Sequence, residues 1–192
     1  MIGIGWGRTS SCDLMCNADT VHCAQCTVHF VMRTNRLILA LLILAIIAAD
    51  QWTKSLARTR LSPFPRTYAG GVVSLLHTEN EGAFLSLGST LPHTTRTLIF
   101  TGAVAIAVLL ALGMLILDKV HGYDAVAVAL IAAGGIGNLI DRVFRDGRVT
   151  DFLYLAAGPL HTGVFNVADM AITLAVVWLL LSSFAPKTKP AS

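Results

Sequence analysis

The chain has 192 residues, 55% of them hydrophobic and only 13% charged, with a mean hydropathy of +0.70 and a formal net charge of +3. Soluble domains carry about 25% charged residues, so this is the composition of a small integral membrane protein with little room for a separate soluble domain. The mild charge, and the lack of any basic run interleaved with aromatics, exclude a nucleic-acid partner.

Residues 1–32 hold all four cysteines: Cys12, Cys16, Cys23 and Cys26. Their spacings, with His22 and His29 nearby, superficially resemble a zinc site. The stretch "MRTNRLILALLILAIIAAD" from Met32 reads as a beginning in its own right. The first 32 residues are therefore read as a disordered extension or an upstream start, and residues 33–192 as the membrane domain. With every thiol ahead of that domain, a cysteine nucleophile in the main body is excluded.

The first apolar stretch runs from Leu37 to Ala49. Arg33 and Arg36 before it allow a secretory signal peptide as a competing reading. However, the run ends in "AADQWTK" without a clean A-x-A site. Asp50 and Lys54 have the i, i+4 spacing of a helical ion pair, which favours a retained span. The next loop runs from about Ser55 to Thr97. In it, "GGVVSLLH" (Gly70 to His77) has the turn-then-β-branched look of a strand, and "NEGAFLSLG" follows with Gly82 and Gly88 permitting tight turns. A small β element over the membrane face is expected there.

Three further apolar stretches follow, at Leu98 to Leu117, Ala125 to Ile140, and Met170 to Phe184. Crossing the hydrocarbon core takes about 20 residues, and only the second of the four stretches reaches that unaided. The first must extend towards Lys54 and the third past Asn138 to Asp141 and Arg142. The fourth must begin near Phe165 and take in Asn166 and Asp169. The expected fold is thus mainly α, four transmembrane helices with a small β-containing element between spans one and two.

Four consecutive spans alternate in direction. Asp50/Lys54, Asn138/Asp141/Arg142 and Asn166/Asp169 therefore gather on one membrane face, while the other face has only the turn "DKVHGYD" and the termini. In "AAGGIGNLIDR", Gly134 and Asn138 are spaced i, i+4. Small residues let membrane helices approach closely, and Asn can hydrogen-bond across the contact. A count of basic residues alone would put the polar face in the cytoplasm.

An ionisable residue in a membrane segment is by default a functional-site hypothesis, so Asp169 needs a partner. Five acids share its face: Asp50, Glu81, Asp141, Asp146 and Asp151. Asp50 has Lys54 and Asp141 has the adjacent Arg142, so both can be structural. Asp146 lies in the turn-like "RDGR". Asp151 lies in "RVTDFLYL", where an apolar-aromatic stretch returns to the membrane surface. Two carboxylates sharing one site cannot readily both ionise, and such a pair holds an acid and a base at once. It can activate a water and protonate a departing amine. The residues alone leave the choice of partner open.

Four stretches in order, "DQWTK" (Asp50 to Lys54), "NEGAF" (Asn80 to Phe84), "GGIGNLIDRV…VTDF" (Gly134 to Phe152) and "FNVADMAI" (Phe165 to Ile172), resemble the lipoprotein signal peptidase (signal peptidase II) family. The resemblance covers the chain from Met32 onward and has no counterpart for the residues before it. It implies a four-span aspartic endopeptidase of the bacterial inner membrane. Such an enzyme removes the signal peptide of a diacylglyceryl-modified prolipoprotein just before the lipidated cysteine. It implies Asp151 and Asp169 as the catalytic pair. Asp50, Lys54, Asn80, Gly82, Gly134, Asn138, Asp141, Arg142 and Asn166 are implied to shape the site and contact substrate. Both termini would be cytoplasmic and the active site would open at the periplasmic or outer face, against the basic-residue count. Thr150 stands where the family commonly has an apolar residue.

No metal or cofactor is expected, since His77, His93, His121 and His161 lack the i, i+4 spacing of a helical zinc site. The expected partners are the prolipoprotein substrate and membrane lipid, acting on a monomer. Three other readings are kept. They are a Ser-Lys dyad through Lys54, a transporter or channel subunit relaying ions through Asp141 and Asp169, and a non-catalytic assembly factor.

Overall fold

The computed structural model describes residues 36–61, 63–81 and 92–184. The cysteine-bearing extension and Gly82 lie outside the described residues. Among the described residues, four helices are long and apolar enough to cross a membrane: α1 (Arg36–Arg60), α2 (His93–Ile116), α3 (Gly122–Phe144) and α4 (Val167–Phe184). The four expected spans are therefore present, with different ends. α1 continues beyond Lys54 to Arg60, and α2 begins at His93 rather than Leu98. α4 begins at Val167, which leaves Asn166 outside the helix and Asp169 in its first turn.

α3 is the central helix and packs against the other three. Its buried positions are mostly small: Ala125, Ala129, Ala132, Ala133, Gly134 and Gly137. Lipid is as apolar as a leucine side chain, so helices in a membrane gain by close van der Waals contact rather than by hiding bulk. The bulky residues accordingly point outward, among them Leu41, Leu44, Leu109, Leu110, Leu174 and Leu181. At the plain end of the bundle, Arg36 lies 3.9 Å from Asp118. There Trp178 Nε1 donates to Asp124 Oδ1 at 3.0 Å and its ring packs on Tyr123. Amphipathic aromatics of this kind belong at the membrane–water boundary.

At the other end a four-stranded antiparallel sheet covers the helix termini, in the order β1 (Arg66–Tyr68), β2 (Val73–Asn80), β3 (Val149–Ala157) and β4 (Leu160–His161). The expected β element is thus larger than the sequence suggested. "VTDFLYLAA" is a strand paired along β2, not simply a segment returning to the membrane, so the sheet joins the loop after α1 to the loop after α3. A one-residue bulge falls between Leu75, opposite Leu153, and Thr78, opposite Asp151. Bulges re-aim the residues that follow them. Here the shift sets Asn80 opposite Val149, diagonal to Asp151, within reach for a cross-strand side-chain contact.

Two glycines of α3 set how closely α4 and α1 approach. A Cβ on Gly134 would lie 2.5 Å from the Ala168 carbonyl oxygen, and one on Gly137 would lie 2.6 Å from Asp50 Oδ2. Gly113 of α2 has nothing within 4 Å. Gly134→Ala is expected to destabilise the detergent-solubilised protein by about 1–3 kcal/mol, read as a lowered Tm. Gly113→Ala should leave Tm unchanged or slightly raised, because alanine is the better helix former.

Candidate active site

The site is built on a buried ion cluster. Lys54, on α1, has 0% exposure. Its Nζ lies 2.8 Å from Asp50 Oδ2, 3.3 Å from Asp141 Oδ2 and 2.8 Å from Asn138 Oδ1. The i, i+4 pair of Asp50 and Lys54 forms as its spacing predicts. The adjacent Asp141 and Arg142 do not pair, because neighbouring positions on a helix face different ways. Asp141 instead meets Lys54, accepts from the Thr150 backbone N–H at 3.0 Å, and lies 3.6 Å from Arg145. Arg142 donates to the Gly147 carbonyl at 3.1 Å.

Asp50 also reaches across to α4, where its Oδ1 accepts from the Ala168 backbone N–H at 2.9 Å. The start of α4 is otherwise closed by its own sequence. Asn166 Oδ1 accepts from the Asp169 N–H at 3.0 Å, and Asp169 Oδ2 accepts from the Asn166 N–H at 3.3 Å. This is the reciprocal arrangement of a capping box, in which the cap and the third helical residue satisfy each other's orphan donors. Free amides at a helix start carry partial positive charge, which favours an anion there. Asp169 therefore combines a capping role with a half-buried ionisable group on the cavity wall.

Asp151 arrives from the sheet. β3 is pinned beside the entrance to α4 by hydrogen bonds in both directions between Leu153 and Phe165, each at 2.9 Å. The Asp151 carboxyl is 2% exposed. Its Oδ1 accepts from Asn166 Nδ2 at 2.6 Å and its Oδ2 from Asn80 Nδ2 at 3.1 Å. Asp169 Oδ1 accepts from Asn138 Nδ2 at 2.9 Å. Each carboxyl thus receives two N–H donors, so hydrogen bonding alone does not distinguish them. Burial, and then the neighbouring Asp169 carboxylate, push Asp151 from 3.8 to about 6, against the pull of its asparagine donors and Lys54.

Both acids line a cavity of about 1080 Å³. Its wall combines Asn80, Asp151 and Asp169 with apolar Phe165, Met170, Ile172 and Leu174. Glu79 and Glu81 also line it. Arg148 lies 3.1 Å from Glu79 and 3.4 Å from Glu81, and Arg96 also pairs with Glu81. The rim is therefore ionic and the interior partly apolar.

Residues 42–185 match the family model described as signal peptidase (SPase) II. The chain belongs to the signal peptidase II family. A lipoprotein signal peptidase of Acinetobacter baumannii (strain ATCC 17978) is 37% identical over 157 residues, covering 78% of this chain and 84% of that protein. One from Oleidesulfovibrio alaskensis is 33% identical over 157 residues, covering 81% of this chain and all of the relative. A solved structure titled as a bacterial membrane enzyme is 25% identical and superposes with a TM-score of 0.65, over 78% of this chain and 94% of the other. The protein is thus a membrane protease of the signal peptidase II type.

The residues that the family resemblance singled out converge on one place, from α1 (Asp50, Lys54), the end of β2 (Asn80), α3 (Asn138, Asp141), β3 (Asp151) and the start of α4 (Asn166, Asp169). Gly134 does not line the cavity and acts instead where α3 meets α4. Of the other acids weighed as partners for Asp169, Glu81 is held by arginines and Asp146 is exposed. Three contributors were not singled out by the sequence. Gln51 donates to the Gly137 carbonyl at 3.0 Å. Gly137 leaves room for Asp50, and Thr150 Oγ1 accepts from Arg58 at 3.1 Å. Gln51 and Gly137 both lie inside quoted motifs, which was the available signal. Thr150 is the departure from the family pattern, and its hydroxyl ties the end of α1 to the residue before Asp151.

The displaced Asp151 carboxyl has a consequence for stability. Between 3.8 and about 6 the folded protein binds a proton there that the unfolded chain releases, so stability falls as pH rises through that window. The displacement corresponds to roughly 3 kcal/mol. Asp151→Asn is therefore expected to melt above wild type at neutral pH, with the difference vanishing below pH about 4. An equal Tm difference at both pH values would contradict the assigned displacement.

Proposed function

We propose that Asp151 and Asp169 act as a catalytic dyad that removes the signal peptide from diacylglyceryl-modified prolipoproteins, cutting before the lipidated cysteine. The observation that carries this reading is the meeting of two carboxyls, from β3 and from the first turn of α4, on one cavity wall. Asp151 is the more buried of the two and keeps the shared proton. Asp169, at a helix start, is the ionised member.

In the proposed reaction, a water held between the acids gives a proton to Asp169 as its oxygen attacks the scissile carbonyl carbon. Asp151 donates its proton to the carbonyl oxygen, giving a neutral tetrahedral diol. Asp169 then protonates the departing amine while Asp151 takes a proton back from the diol, and the carboxyl product forms. The dyad returns to its starting state with one proton between its members. The lipid on the cysteine keeps the scissile bond at the depth of the dyad, and such positioning makes the step effectively unimolecular. The apolar part of the cavity wall suits a signal-peptide or acyl segment. The active site opens at the periplasmic or outer face, both termini are cytoplasmic, and one chain suffices.

The competing readings have less support. Lys54 is committed to three oxygens and has no serine partner among the described residues. Asp141, the second member of the alternative ion relay, is held by Lys54, Arg145 and the Thr150 N–H.

The test is cleavage of a diacylglyceryl-modified prolipoprotein by the purified protein, alongside Asp151→Asn and Asp169→Asn. Wild type should release the signal peptide before the lipidated cysteine, and both variants should be folded yet slowed by about 10³-fold or more. Cleavage at the wild-type rate by either variant would falsify the dyad. The kcat/KM profile, which reports the free enzyme, should fall as pH rises past about 6, where Asp151 loses its proton. A profile flat from pH 5 to 8 would contradict the assignment of the proton to Asp151.

A further inference from the structure

Asn138 is the only residue among the described contacts that joins the buried ion cluster to Asp169 through its side chain. Its Oδ1 accepts from Lys54 Nζ at 2.8 Å, and its Nδ2 donates to Asp169 Oδ1 at 2.9 Å. An ammonium has three donors and no acceptor, whereas a carboxamide has both. Facing Lys54, the amide must present its oxygen, and its N–H2 is then left for Asp169. Asn166 Nδ2, 3.3 Å from the same Oδ1, reinforces that orientation.

We propose that Lys54 is a positioning residue for the reaction, which by orienting the Asn138 carboxamide holds Asp169 as the ionised, proton-accepting member of the dyad. This rests on the dyad reading above and deepens it. With the amide reversed, Oδ1 would face Asp169 and only a protonated carboxyl could bond to it. Lys54 opposes that reversal because it would set N–H donors against an ammonium that has no exposed surface. The lysine does this without touching Asp169.

The other charges around Asp169 do not perform this role. Besides Lys54 they are Asp50 from α1, Glu79 and Glu81 at the end of β2, Asp141 and Arg142 from α3, and Asp151 from β3. Arg142 is the second cation, and its charge acts on both Asp151 and Asp169. Its guanidinium hydrogen-bonds to the Gly147 carbonyl. Asp50 and Asp141 occupy the remaining donors of Lys54, which holds the ammonium in place while its third donor fixes Asn138.

Prolipoprotein cleavage is measured as kcat and KM across pH for wild type, Asn138→Ala, the pair Lys54→Met with Asp50→Asn, and all three changes together. The pair removes one buried acid with the lysine, so that fewer buried charges are left unmatched. Asn138→Ala should lower kcat about 100-fold, as for a misplaced catalytic group, with little change in KM. It should also move the acidic limb of the kcat/KM profile to higher pH. The Lys54/Asp50 pair should move that limb in the same direction, and adding Asn138→Ala should move it no further, because the lysine acts through that amide.

A purely structural lysine would lower activity and leave the limb in place. Losses that multiply in the triple variant would show that Lys54 acts independently of Asn138. Either result overturns the proposal. Should the Lys54 variants fail to fold, Asn138→Asp decides, since it keeps a partner for Lys54 but has no N–H to offer Asp169. Wild-type kcat in Asn138→Asp sinks the proposal; a loss with a shifted acidic limb supports it. If Asp169→Asn itself cleaves normally, the dyad reading has failed, which is a separate outcome from failure of the relay.

Discussion

A lysine ammonium with no exposed surface sits where α1, α3 and the start of α4 converge, and the arrangement of the site depends on satisfying it. Removing an ion from water costs several kcal/mol even after the surroundings relax. Such a group persists only where acceptors meet it from all sides. Asp50, Asp141 and Asn138 do so here, from two helices. Asp50 then turns its second oxygen to the Ala168 amide of α4. The same carboxylate therefore neutralises the lysine and closes the start of the helix that carries Asp169. Sliding any of the three helices would strand a charge, so the cluster fixes their register as well as holding them together.

Close helix approach and polar bonding are here one device. Gly137 leaves the space in which Asp50 reaches α4, and Gly134 lets α4 come near enough to be capped. The sheet supplies the rest, with a bulge that aims Asn80 at Asp151 and a two-way backbone bond that holds Asp151 beside α4. Two acids from distant segments are thus held on a shared cavity wall, one deeply buried and one at a helix start. The buried one is kept at a cost in stability at neutral pH. The proposed catalytic role of Asp151 makes this the usual trade between stability and activity.

The sequence was most legible where the signal is local and repetitive. Four apolar stretches separated by polar segments became four helices, and the spacing of Asp50 and Lys54 predicted their ion pair. It was least legible where a partner comes from afar. Adjacency in sequence points Arg142 at Asp141, whereas Asp141 meets Lys54 from another helix and Arg145 one turn on. Nothing in "RVTDFLYL" states that it pairs with β2, because strand pairing is decided by residues far apart in the chain. "FNVAD" opens the fourth span, and its Asn followed three residues later by an acid is a capping pattern that apolar length alone does not reveal. The dyad itself was one pairing among several until the family resemblance singled it out. Gly82 and the four cysteines lie outside the described residues.

In the proposed dyad Asp151 and Asp169 share one proton, and Asp151 holds it. Difference infrared spectroscopy on the detergent-solubilised protein tests this most directly, through the carbonyl stretch of a protonated carboxyl followed across pH. The expected band titrates near pH 6, disappears in Asp151→Asn and moves to lower pH in Asp169→Asn, where the neighbouring charge is gone. A band that survives Asp151→Asn, or a wild-type Asp151 fully ionised at pH 5, would contradict this assignment.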